Sequence, residues 1–157
     1  LQDIQLIDNH LIRTVISKAG SSPRKRTNHN FHQLTEVYQR FLNVLTEDTF
    51  VSVHRHLSDP KHETFLILQG KVGFLIYDEE GNIKEKHLLS SEGPVYGIDI
   101  QPGVWHNLVC LSPVAVCFEG KSGPYIERTD KEFHSKYPNE GDPECAKTNE
   151  SWKKLFQ

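Results

Sequence analysis

Short segments rich in β-branched and aromatic residues follow one another closely from Tyr38 to Glu119, with no helical stretch between them, and this pattern excludes most architectures. The segments are Tyr38–Leu45, Phe50–His56, Thr64–Leu68, Val72–Tyr77, Lys86–Leu89, Val95–Ile100, Trp105–Leu111 and Val114–Glu119. Turn signals such as Gln69-Gly70, Pro102-Gly103 and Ser112-Pro113 separate them. A parallel sheet would need long crossovers, which are missing, so the pattern predicts an all-β fold, an antiparallel barrel or jelly roll. Ahead of it, Leu11, Ile12, Val15, Ile16 and Ala19 recur at helical spacing between a capping Asp8 and a terminating Gly20, which predicts an N-terminal helix. The expected division is residues 1–36 as helix and basic arm, 37–127 as barrel, and 128–157 as an irregular tail packed on the same domain. Within that tail Trp152, Leu155 and Phe156 lie at helical spacing, which suits docking on the domain or contact with another subunit.

The 157 residues suit one domain, and 36% apolar with 25% charged residues is enough for a core. A formal charge of -3 provides no overall cationic field, so neither nucleic acid nor an anionic membrane is an expected partner. No apolar run is long enough to cross a bilayer, and LQDIQLIDNH lacks the order of a signal peptide, so a cytoplasmic protein is expected. Cys110, Cys117 and Cys145 are odd in number, which fits reduced thiols rather than disulfides.

The chemistry concentrates in VHRHLSDPKHETFLILQG. His54 and His56, two apart in a strand, project from one face of a sheet. Glu63 opens the next strand, where antiparallel pairing can bring its carboxylate opposite the imidazoles. His106 follows a turn at Gly103 and starts a later strand. Three imidazoles and a carboxylate suit one divalent transition metal (Fe, Mn, Ni, Co or Zn), with positions left for water or substrate.

This combination of HxH, Glu, Gly70 seven residues further on and a later GxxH resembles the two motifs of the cupin superfamily. Six residues separate His56 from Glu63, more than the common pattern has, so His62 competes with Glu63 for the fourth position; the distance from Glu63 to Gly70 favours Glu63. From about Leu6 to Asp142 the helix, SPRKRTNHNFH, the HRH strand, PGVWH and FEGKSGPY are similar to the WbuC family of cupin-fold metalloproteins. That resemblance implies a cupin barrel, a bound metal and an association with bacterial surface polysaccharide.

Other residues have two readings each. Arg24, Lys25 and Arg26 form either a solvated loop or, with Asn30 and His32, an arm that captures an anion at the barrel mouth. Arg40 is either an outer-face residue or, with inward parity, a substrate cation. Cys110 either packs as a small hydrophobe or lines the metal pocket from the face of His106, and Glu119 is either a pocket carboxylate or a surface one. His10, His29, His62, His87 and His134 are expected in solvent. The functional expectation is a metal-dependent enzyme, of isomerase or epimerase type, acting on a small anionic or sugar-like molecule. The alternatives are an Fe(II) dioxygenase and a non-catalytic cupin that binds metal or a small molecule. A homodimer is also expected, since pairing would cover open sheet edges.

Overall fold

The computed structural model describes residues 3–157. Helix α1 (Asn9–Ser21) starts where Asp8 accepts a hydrogen bond from the Leu11 amide at 2.9 Å, and it runs one residue past Gly20. The strands that follow are β1 (Arg26–Asn30), β2 (Tyr38–Thr46), β3 (His54–Arg55), β4 (Glu63–Gln69) and β5 (Lys71–Tyr77). Next come β6 (Ile83–Ser90), β7 (Gly97–Ile100), β8 (Trp105–Cys110) and β9 (Val114–Ser122), then α2 (Glu127–Asp130), β10 (Glu132–Phe133) and α3 (Cys145–Lys154).

These strands form two five-stranded antiparallel sheets, in the orders β1-β2-β9-β4-β7 and β10-β3-β8-β5-β6. The sheets pack face to face around Leu45, Phe65, Ile67, Val72, Phe74, Leu108 and Cys117. Because side chains alternate, each sheet also has an outer face. Helix α1 covers Leu42, Val44 and Val116 on one with Val15 and Ala19. Helix α3 covers Val53, Leu75, Tyr77 and Val109 on the other with Trp152. No helix among the described residues is long and apolar enough to cross a membrane.

The basic arm is more regular than a loop, because residues 26–30 pair with 41–45 as the edge strand β1. The tail runs irregularly from His134 to Glu144 and then forms α3. Trp152 stacks on Phe50 with ring centroids 5.4 Å apart, and Leu155 and Phe156 pack on the same cluster. Phe156 comes so close to β5 that a Cβ on Gly73 would lie 2.5 Å from its ring. Gly70 joins β4 to β5 with φ +81°, in the left-handed region, and a Cβ there would meet the Val114 carbonyl at 2.4 Å.

Trp152 is the largest buried side chain that holds the tail in place. Trp152→Ala should destabilise the protein by about 3 to 5 kcal/mol in urea unfolding followed by circular dichroism.

Candidate metal centre

Strand parity brings four side chains together. His54 pairs with His106 across β3 and β8, His56 follows two residues later, and Glu63 enters from β4 in the facing sheet. All four are buried, and their ligand atoms lie within 4.8 Å of one another. Glu63 Oε2 is 3.1 Å from His56 Nε2 and 3.0 Å from His106 Nε2.

Backbone carbonyls orient the imidazoles. His54 Nδ1 donates to the Ser52 carbonyl and His106 Nδ1 to the Val104 carbonyl, each at 2.9 Å, and His56 Nδ1 donates to the Asp130 carbonyl. A carbonyl can only accept, so the proton sits on Nδ1 and each Nε2 presents a lone pair. His56 Nε2, His106 Nε2 and Glu63 Oε2 are buried and have no hydrogen-bond partner, although they nearly touch. Lone pairs converging on a carboxylate repel unless a positive charge stands among them. Either a second proton on an imidazole or a metal cation can supply it. Burial pushes His54 well below its ordinary pKa, reinforced by Lys131 and His106, which disfavours the proton there. Burial opposes charge on Glu63, but a second proton on His106 or His56 would donate to it, and that pairing holds it well below the usual carboxylate range. The donor set and its orphaned atoms thus fit a divalent transition metal.

A cavity of about 720 Å³ opens from His54 and Glu63. Arg24, Arg26, Asn30, His32 and Glu119 line it, so the structure brings these expected residues to one wall system with the cluster. Arg40 and Cys110 are not brought there. Arg40 alternates with the inward residues Phe41 and Asn43, turns outward and pairs with Glu36 at 3.0 Å. Cys110 does share the inward face of His106, but four residues along a strand is about 13 Å. That places its thiol in the apolar core, near the carbonyls of Leu45 and Ser112. His10 and His62 are exposed as expected; His29, His87 and His134 are half-buried, and His29 packs edge-on against Phe31.

Arg24 is not free, because its guanidinium forks onto Glu140 with both bonds at 2.8 Å, and Arg26 adds a third at 2.9 Å. Several wall residues escaped the sequence reading, among them Asn43, Lys121, Asp130 and Lys131. Lys121 has the parity of Glu119, so carrying its strand two residues further would have found it. Its ammonium lies 3.2 Å from both Asp130 oxygens. Asn43 donates to Glu119 at 3.1 Å. Burial and the charge of Glu63 push Glu119 up to about 8, against the pull of Lys121 and Asn43.

Residues 7–89 match the family described as Domain of unknown function (DUF6016), and this is more than half of the chain, which therefore belongs to that family. A comparison with curated proteins finds no match. Among solved structures, the capsular polysaccharide assembling protein CapF from Staphylococcus aureus has a TM-score of 0.60 at 20% identity, over 71% of this chain and 32% of that one. This chain thus spans about a third of CapF. TT1209 from Thermus thermophilus has a TM-score of 0.55 at 18% identity, over 76% and 97% of the two chains. The SPY1581 protein from Streptococcus pyogenes has a TM-score of 0.54 at 12% identity, over 80% and 93%. The shared feature is the fold, a cupin jelly roll.

Glu63→Gln should weaken metal binding on the order of a hundredfold, since even residues behind the ligands cost about 10 to 100-fold, whereas exposed His62→Ala should leave metal titrations unchanged. The raised Glu119 gives a second expectation, for metal-free protein. A carboxyl that ionises later in the folded state favours folding below its unfolded pKa, and that contribution is lost as pH rises towards about 8. Denaturant unfolding should therefore find Glu119→Gln gaining on the parent between mildly acidic and mildly alkaline pH, by an amount on the order of a few kcal/mol.

Proposed function

We propose that the chain is a WbuC-like, metal-dependent cupin enzyme that moves a proton on a small anionic or sugar-type metabolite, in the manner of an isomerase or epimerase. The observation that carries this reading is Glu119, a buried carboxyl whose pKa burial raises to about 8, in the cavity that opens from the four candidate ligands. His54, His56, Glu63 and His106 would hold the metal, which when bound supplies Lewis acidity that eases removal of a proton beside a ligand carbonyl. The protein's own residues do the rest. Glu119 takes the proton and returns it, since a group titrating near working pH serves both directions. Asn43 fixes the carboxyl by donating to Oε2, and Lys121, held by Asp130, offsets the charge when Glu119 ionises. Asn28, Asn30 and His32 offer hydrogen bonds to hydroxyl groups. The description of CapF as a capsular polysaccharide assembling protein supports a sugar-derived ligand and a place in surface polysaccharide metabolism.

Metal-loaded protein incubated in D2O with a panel of sugar phosphates and hydroxy acids should exchange one carbon-bound hydrogen of its substrate, seen by NMR. Glu119→Gln should slow that exchange at least about a hundredfold while metal content stays the same. Ligand-dependent oxygen uptake without exchange would sink the proposal in favour of a dioxygenase, and binding without either would leave a non-catalytic cupin.

A further inference from the structure

A second cavity, of about 320 Å³, adjoins the first and shares Arg24, Arg26, His54 and Lys131 with it. It reaches the metal centre along the His54 side, and its far wall carries Ser52, Asn139 and Glu140. Three cationic side chains therefore border this lobe against one carboxylate. Glu140 is already engaged by both arginines, and its amide donates to Ser52 Oγ at 2.9 Å. Among the described residues Lys131 has no hydrogen bond and no ion pair, although it sits among buried charges of the cavity wall. Arg26 keeps only 12% of its side chain exposed, and only one of its nitrogens is bonded to Glu140. Arg26 is a cation largely withdrawn from water without full pairing, which is costly, and half-buried Lys131 beside it lacks a partner, so an incoming anion would offset the charge of both.

We propose that this lobe is an oxyanion subsite, in which Arg26 and Lys131 hold a carboxylate or phosphate group of the ligand whose other end lies at the metal. Glu140 is then an internal competitor, a carboxylate that occupies the arginines and yields part of that pairing when the ligand's own anion arrives. The assignment rests on the metal-dependent reading only for the ligand's other end. The subsite itself is a property of Arg26, Lys131 and Glu140. It also moves anion recognition away from Arg24, which is already neutralised, onto a lysine in the tail.

Calorimetric titration of metal-free protein with inorganic phosphate and, separately, with acetate tests the subsite without the metal. The expected result is saturable binding of one anion per chain at millimolar or lower concentration. Tighter binding of phosphate marks a phosphate site, and tighter binding of acetate a carboxylate site. Lys131→Gln should weaken binding at least about tenfold, as expected for a lost charged hydrogen bond, and Lys131→Arg should restore it to within about threefold. Glu140→Gln should tighten binding about threefold or more, the opposite sign, which a merely structural residue would not give. Lys84→Gln, on the exposed face of β6, should change nothing. The proposal is overturned if the parent binds neither anion, if Lys131→Gln binds like the parent, or if Glu140→Gln binds more weakly. Should Lys131→Gln fail to fold, the sign of the Glu140→Gln effect decides alone. A separate titration of the same metal-free preparation with zinc or manganese measures metal uptake. Phosphate binding with no metal uptake refutes the metal reading and leaves the subsite standing, and the converse result does the reverse.

Discussion

Inside a sandwich of two face-packed sheets, every inward side chain must be either hydrocarbon or a polar group with a partner, and the whole arrangement follows from where that choice changes. It changes part-way along several strands at once. β9 turns inward Ala115 and Cys117, then Glu119 and Lys121; β8 turns inward Cys110 and Leu108, then His106; β4 turns inward Ile67 and Phe65, then Glu63. One end of the interior is a dry core and the other a polar cavity, built on the same strands. The cavity is positioned by the core, since Phe65 and Leu108 lie one inward step from Glu63 and His106 and belong to the apolar cluster.

Two carboxylates share the polar end and differ in charge for physical reasons. Glu63 faces imidazole nitrogens and stays ionised, while Glu119 faces a single amide donor and the field of Glu63, so it keeps its proton to higher pH. Pairs of titratable groups pushed apart in this way separate the tasks of holding charge and moving protons. Lys121 limits the split, because its charge favours an ionised Glu119.

The fold and the four converging side chains were legible in the sequence because they rest on short-range spacing: the two-residue step from His54 to His56, the run from Glu63 to Gly70, and turn residues between strands. Parity was harder where both faces of a strand are buried. In β2 the outward residues Leu42 and Val44 lie under α1, so the alternation that would have turned Arg40 outward is masked. Cys110 showed the complementary problem, correct in face but several strand steps too deep. β1 and β10 lack apolar runs, and their residues pair because neighbouring strands offer an open edge. Lys131 and Glu140 lie in polar, irregular sequence, and only long-range chain return brings them to the cavity.

The tail is part of the cavity's construction rather than an appendage. The Asp130 carbonyl orients His56, the Asp130 carboxylate holds Lys121, and Lys131 and Glu140 stand where a ligand would lie. The four candidate ligand side chains, by contrast, come from β3, β4 and β8 and from His56 just after β3. Descent can therefore act on the two segments at different rates. A lineage that rewrote its last thirty or so residues would inherit the same donor set and present it to a different chemical clientele.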